Sequence, residues 1–208
     1  MILHSAAFAF VLLLFSGGEW DKVREIAPGS ERGEAIANLL ADDSVDLESA
    51  ELTLSWEAGQ RAADSLEFEL AFRIQEQLYR RVPAEWSGVN MALTAHKLGR
   101  WQTADLVLGE LLESKPTDAA GLWSQRGIFA LGDGRQRLAR EYFGRAICLG
   151  SPDATGILAR EDLALYNFEP ARAGFRAALA SNSKHPWALR GWGLSLLGAA
   201  ALHPGTRN

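Results

Sequence analysis

The 208-residue sequence predicts an all-α fold built from antiparallel helix hairpins that stack on one another. Apolar residues recur at helical spacing along most of the chain, and no strand-like alternation of apolar and polar residues is present. Two small residues twelve positions apart recur every 32 to 35 residues, which is typical of a repeat array. Apolar residues make up 48% of the chain, enough to bury a continuous core.

The clearest hairpin lies within residues 120–153. An apolar stripe over 122–131 predicts a first helix, and a Gly-Asp-Gly turn at 132–134 interrupts it. A second stripe over 138–147 predicts a helix of similar length that folds back on the first. These residues therefore predict two helices joined by a short turn.

Small residues at a fixed spacing identify the repeat. The pairs are Gly59 and Ala71, Ala92 and Ala104, Gly127 and Ala139, and Ala159 and Ala171. An aromatic residue stands three positions before the Ala in three pairs, at Phe68, Trp101 and Phe168, and Gln136 takes that position in the other. The pattern resembles the tetratricopeptide repeat (TPR), in which small residues let two helices cross closely. The resemblance covers about 52–198 and implies an all-α, right-handed TPR-like α-solenoid of antiparallel helix hairpins.

The resemblance divides the chain into an atypical helical N-terminus, residues 1–45, and a TPR-like array, residues 46–208. The array has four repeats, at about 52–84, 85–118, 120–153 and 152–185, and a terminal half-repeat at 186–198. Its helices are predicted at 47–64, 67–81, 85–97, 101–114, 119–131, 135–149, 153–165, 169–181 and 186–198. Pro83 and Pro116 end the first two second helices, since proline does not continue a helix.

The N-terminus allows two interpretations. Residues 1–16 include ten consecutive apolar residues, from Ala6 to Phe15, which makes them a candidate signal or membrane segment. No Lys or Arg precedes the run, no small-x-small cleavage site follows it, and it is short for a membrane span. The other interpretation is a degenerate repeat helix. Under either interpretation, Ser30 is predicted to cap a further helix, which ends at the acidic residues Asp42 and Asp43.

Charge and cysteine content narrow the function classes. Residues 1–84 hold 15 acids and 7 bases, a net charge of −8, and residues 85–208 hold 11 acids and 14 bases, a net charge of +3. No basic run is present, so nucleic acid is not expected as a partner. The single cysteine, Cys148, cannot form an internal disulfide, and its place on an apolar stripe predicts a buried thiol.

The sequence carries no recognisable catalytic or metal-binding motif. The four histidines, His4, His96, His185 and His203, lie far apart and have no metal-ligand spacing. No phosphate-binding Gly-rich loop, Gly-x-Ser-x-Gly elbow or Cys-x-x-Cys pair occurs. The acid pair Glu161 and Asp162 is interpreted as a solvated helix face. We therefore expect a protein that is not an enzyme and that has no cofactor and no metal.

The family resemblance implies binding of another protein in a concave groove lined by first helices. By helical phase, the groove face carries Trp56, Gln60, Trp86, Asn90, Leu93, Ser124, Gln125, Ile128, Arg160, Trp187 and Arg190. The three tryptophans either anchor a partner or pack between neighbouring first helices. The family's carboxylate clamp is absent, since Val89 and Leu93 occupy its positions in the second repeat.

Two functions remain open at this stage. One is a non-catalytic scaffold or adaptor that binds a peptide or helix of a partner, acidic near the C-terminal repeats. The other is a membrane-attached or cell-envelope assembly factor that organises a complex and contacts the membrane through 1–16. At least one apolar end is expected to be covered by a second copy, which gives a homo-oligomer, by a partner subunit, or, at the N-terminus, by lipid. The compartment depends on 1–16: cytoplasmic for a repeat helix, and periplasmic or membrane-attached for a signal or anchor.

Overall fold

A computed structural model describes residues 18–181, 183–184 and 186–202, with the backbone alone for 199–202. Within these residues the chain is all-α, with eleven helices and no strand. The helices are α1 Glu19–Glu25, α2 Ser30–Ala41, α3 Ser49–Asp64, α4 Phe68–Arg81, α5 Glu85–Lys97, α6 Trp101–Glu113, α7 Ala119–Gly132, α8 Gln136–Cys148, α9 Pro152–Ala164, α10 Phe168–Ser181 and α11 Pro186–Leu202.

The nine helices predicted for the array correspond to α3–α11, and the predicted all-α class is confirmed. Helix ends agree to within two residues, except that α11 continues to Leu202, four residues beyond the predicted end. No residue between 198 and 202 breaks a helix, because this stretch is one Gly followed by Ala and Leu, which favour helix.

The chain forms two compact units, one up to Val107 and one from Leu108. In the first unit α4 packs against α2, α3 and α5, and its core contains the fully buried Ile36, Leu40 and Leu78. In the second unit α9 packs against α7, α8, α10 and α11, and α7 also packs against α8. Phe143 and Phe175, at most 1% exposed, are the largest fully buried side chains of two core clusters in this unit. Each unit is therefore a stack of helix hairpins around its own apolar core.

Four hairpin turns share one backbone conformation. The turn residues Leu66, Gly99, Gly134 and Tyr166 have φ values of 64°, 72°, 73° and 60°. After each turn residue, the next residue donates its N–H to a carbonyl five positions back: Glu67 to Ala62, Arg100 to Ala95, Arg135 to Ala130 and Asn167 to Asp162. This is the Schellman closure of a helix C-terminus. Each turn residue stands five positions before the repeat's Ala, so turn and crossing repeat in register.

The hairpin crossings are as close as the small residues predict. A Cβ added to Gly59 would lie 2.3 Å from Nε2 of Gln75, and one added to Gly127 would lie 2.5 Å from Cε1 of Phe143. A Cβ on Gly174 would lie 2.7 Å from that of Ala159. Real Cβ atoms do not approach other atoms so closely, so a larger residue at any of these positions would force a neighbouring group to shift.

The structure corrects three details. Ser30 does not cap α2: it is the first residue of the helix, and its hydroxyl donates to Glu67. Cys148 is exposed, because two positions on from the buried Ala146 is about 200° around the helix. Asp162 is not solvated: it is buried and accepts a hydrogen bond from Arg140. The two interpretations of 1–16 lie outside the described residues.

Candidate functional site

The candidate site is a groove of about 990 Å³ in the second unit. It is lined mainly by the first helices α7, α9 and α11, with the loop before α9. The lining residues on which the argument depends are Asp118, Ser124, Gln125, Ile128, Ser151, Asp153, Gly156, Arg160, Phe175, Trp187, Arg190 and Leu194. All six groove residues predicted in this unit, Ser124, Gln125, Ile128, Arg160, Trp187 and Arg190, lie in this lining.

Two buried serines form the junction between α7 and α9. The hydroxyl oxygens of Ser124 and Ser151 lie 3.0 Å apart, and Ser124 donates to the carbonyl of Ala120. Ser151 also caps α9, since its hydroxyl accepts from the N–H of Ala154 at 3.2 Å. Pro152 at the first helical position suits such a start. The groove floor is therefore polar, hydrogen-bonded and held by a helix cap.

Trp187 packs against a neighbouring first helix and is also exposed. A Cβ on Gly156 would lie 1.9 Å from Cη2 of the indole, so the ring occupies the space that this glycine of α9 leaves. The ring meets Phe175 edge-on, with centroids 6.3 Å apart. Even so, 39% of Trp187 is exposed, along the wall of the groove. The two roles expected for an aromatic on this face, packing and anchoring, are compatible in one residue.

Two arginines give the groove its positive groups. Arg160 on α9 and Arg190 on α11 are exposed, and neither forms a hydrogen bond or ion pair within the described residues. Two acids also line the groove, and one of them, Asp118, accepts from the N–H of Gly121 at the start of α7. Because neither arginine makes an ion pair in the described part of the chain, both guanidinium groups can bind an anionic group there.

The first unit carries the other five predicted residues on α3 and α5. Gln60 donates to Oδ1 of Asn90 at 3.1 Å, which links the two first helices side by side. Trp56 and Trp86 stand one turn before these residues on their helices, and both are exposed. Leu93 is exposed one turn after Asn90. On each of the two helices a tryptophan is thus followed, four positions later, by a polar residue. All five residues belong to the first unit.

Sequence reasoning missed the groups that shape the groove. Gly156 was not singled out, although it makes room for Trp187. The Ser151–Pro152 start of α9 is visible in the sequence as a helix N-cap followed by proline, and this signal could have located the groove floor. Phe175 is a core residue by periodicity, and its role behind Trp187 depends on tertiary packing.

Comparison with known proteins identifies the fold. No protein-family model matches the chain, and no curated protein matches it. Among solved structures it is similar to that titled "Crystal structure of MamA protein", with a TM-score of 0.56 and 17% identity over 72% of this chain and 82% of that chain. A second MamA structure, MamA AMB-1, gives a TM-score of 0.52 and 14% identity over 76% and 88%. The fold is a TPR-like helical solenoid. This likeness concerns the fold alone.

Neither a metal-binding cluster nor a membrane-spanning helix occurs among the described residues. Among them, no group of three or more His, Cys, Asp and Glu side chains is placed to hold a metal ion. In the same part of the chain, none of the helices has both the length and the apolar character needed to cross a membrane.

Proposed function

We propose that this protein is a non-catalytic interaction scaffold or adaptor that binds a peptide or helix of a partner protein. The observation that carries the proposal is the groove in the second unit, where three first helices present an exposed indole beside two guanidinium groups that make no ion pair with any described residue. Grooves of this kind bind extended or helical segments through side chains rather than through bond-making chemistry.

The chemistry of the groove favours an acidic partner segment. Arg160 and Arg190 offer planar donors that suit carboxylates, and charge-assisted hydrogen bonds of this type are roughly twice as strong as neutral ones. Ile128, Trp187 and Leu194 supply an apolar wall beside them. The partner segment therefore carries an Asp, a Glu or a terminal carboxylate next to an apolar side chain.

The test is a peptide array of acidic and basic 15-residue peptides with equal apolar content, probed with the full chain. Wild type is expected to retain acidic peptides, and Arg160→Glu with Arg190→Glu to lose them. The matched control is Arg137→Glu with Arg176→Glu, since both residues are exposed in the same unit outside the groove. Undiminished binding by the groove variant, or equal loss in the control, would contradict the proposal.

A second candidate function rests on the sequence of residues 1–16. Their ten consecutive apolar residues favour a membrane-attached or cell-envelope assembly factor, which uses the same groove to organise a complex. Fractionation of the full-length chain distinguishes the two functions. A chain that pellets with membranes and is released when residues 1–17 are deleted supports the assembly factor, whereas a chain found in the supernatant supports the adaptor.

A further inference from the structure

One face of α9 presents an acid, an aromatic ring and an arginine in a row along the groove. Asp153 stands in the first turn of α9 and Arg160 seven residues later, and both are exposed and line the groove. Seven residues make almost two helical turns, so the two side chains share one face and begin about 10 Å apart along the axis. Gly156 lies between them, and the indole of Trp187 fills the space that this glycine leaves. We call Asp153, the Trp187 ring and Arg160 the α9 row.

Both charged groups of the α9 row are available to a ligand. Neither Asp153 nor Arg160 makes a hydrogen bond or an ion pair within the residues that the structure describes. The other acid of the groove, Asp118, differs, because its carboxylate already accepts the N–H of Gly121 at 2.7 Å. The row therefore offers a ligand one anionic acceptor and one cationic donor, separated by an aromatic surface.

The α9 row specifies the side chains of a partner segment, given the proposed function in which this groove binds one. A carboxylate of the partner belongs at Arg160, because a guanidinium group forms charge-assisted hydrogen bonds with it. A Lys or Arg of the partner belongs at Asp153, and an apolar side chain belongs against the Trp187 ring, which is 39% exposed. A segment with acids alone would place a like charge against Asp153. The partner segment therefore carries both charges, with an apolar residue between them.

The spacing of the α9 row fits a partner helix better than a partner strand. A helix presents side chains on one face at i, i+3 or i+4, and i+7, which span the same distance of about 10 Å. A strand presents side chains on one face at i, i+2 and i+4, about 7 Å and 13 Å from the first. Three strand side chains would thus reach beyond the row. A helix that lies along α9 places all three of its side chains in register with it.

The helix dipole sets the direction of the partner helix. Acidic side chains stabilise the N-terminal end of a helix, and basic side chains stabilise the C-terminal end. A partner helix with its acid before its base therefore lies antiparallel to α9, whose own acid stands in the first turn. We propose that the groove binds an amphipathic helix antiparallel to α9, with Asp or Glu at i, an apolar residue at i+3 or i+4, and Lys or Arg at i+7.

The first test exchanges charges between the full chain and two synthetic helical peptides, with affinities measured by fluorescence anisotropy. One peptide has Glu, Leu and Lys at i, i+4 and i+7, and the second has Glu in place of the Lys. Wild type is expected to bind the first peptide about fivefold tighter, which corresponds to one exposed ion pair. Asp153→Lys is expected to reverse this preference. Glu141→Lys, the same charge change at an exposed position of α8 outside the groove, is expected to keep it. An unchanged preference in Asp153→Lys would overturn the inference.

The second test checks that the bound peptide is helical. Moving the Lys from i+7 to i+5 keeps the composition of the first peptide but turns the base about 140° around the helix from the acid, so wild type is expected to bind it about fivefold more weakly. A proline at i+5 leaves the three contacting side chains in place and interrupts the helix, so the affinity is expected to fall at least about tenfold. Undiminished binding of the proline peptide would show an extended segment and contradict the inference.

The double variant Arg160→Glu with Arg190→Glu separates this inference from the proposed function. Loss of both peptides by this variant, together with an unchanged preference in Asp153→Lys, leaves the groove as the peptide site and overturns only the helix with paired charges. Full binding of both peptides by the arginine variant places the site elsewhere and overturns both proposals. Loss of both peptides together with a reversed preference in Asp153→Lys is the result that we expect.

Discussion

The hairpins α3–α4 and α7–α8 have the same backbone plan but different side chains at their crossings. In α7–α8, Gly127 receives the fully buried Phe143. In α3–α4, the equivalent Gly59 receives Gln75, which is 1% exposed and stands at the same sixteen-residue offset. A glutamine thus occupies a position that the other hairpin fills with an aromatic ring. The crossing requires a small residue on the first helix, and it tolerates different chemistry on the second.

The difference leaves polar atoms inside the first unit. Oε1 of Gln75 and Oγ of Ser55 are buried and have no hydrogen-bond partner among the described residues. In α7–α8 the position equivalent to Ser55 is Trp123, which packs on Tyr142 with ring centroids 5.5 Å apart. An unpartnered buried polar atom costs about 1–3 kcal/mol. The comparison therefore predicts that the α7–α8 crossing stabilises its unit more than the α3–α4 crossing does.

The largest expected effect comes from removing the aromatic ring at the α7–α8 crossing. Phe143→Ala is expected to destabilise the protein by about 3–5 kcal/mol, because the ring is fully buried and its loss leaves a cavity over Gly127. Gln75→Ala, its counterpart, should cost clearly less, since the amide already carries an unpartnered oxygen. Urea unfolding followed by tryptophan fluorescence measures both. Equal losses in the free energy of unfolding would show that the two crossings contribute equally to stability, against the prediction.

The next effect tests how closely the two helices cross. Ala139→Leu is expected to cost about 1–3 kcal/mol, because the residue is fully buried and a larger side chain forces α7 and α8 apart. Arg137→Leu is the control, since it adds leucine at an exposed position on the same helix. Thermal unfolding compares the two variants. An Ala139→Leu protein that melts with the wild type would contradict the close crossing.

A third change makes the polar crossing resemble the apolar one. Gln75→Leu is expected to stabilise the first unit by about 1–2 kcal/mol, because it removes the unpartnered oxygen and keeps a similar volume over Gly59. Gln60→Leu, which breaks the hydrogen bond to Asn90, is the contrasting variant and should not stabilise. Urea unfolding measures the free energy of unfolding of both variants and of the wild type. A destabilised Gln75→Leu protein would mean that the amide makes a contact that the apolar side chain cannot replace.

The smallest effect concerns the turns of the same two hairpins. Leu66 and Gly134 hold the same left-handed conformation, with φ of 64° and 73°, although only glycine adopts it without strain. Leu66→Gly is expected to gain up to about 0.5 kcal/mol, since relief of strain exceeds the added unfolded-state freedom only slightly. Gly134→Ala should lose about 1 kcal/mol. Calorimetry measures the melting temperature of both variants. A lower value for Leu66→Gly, or a higher value for Gly134→Ala, would contradict the shared turn geometry.

Local spacing explains why so much of the fold could be predicted. Helix ends follow from turn residues and from the phase of apolar positions, and both act within a few residues. The small residues at the crossings are visible for the same reason: Gly127 and Ala139 are twelve positions apart on two helices joined by a short turn. Helical phase also selected six of the residues that line the groove, since all positions on one face of a helix share a direction.

The sequence by itself determined the all-α class, the hairpins and the register of their crossings, because these depend on contacts between residues close in the chain. Only the tertiary structure decided that Asp162 is buried against Arg140, and that Gly156 makes room for Trp187. The second pair is 31 residues apart and lies on neighbouring first helices. The position of a residue on its helix gives the direction of its side chain. The group that this side chain contacts depends on how the next hairpin packs, because the distance between two hairpins is set by all the side chains between them.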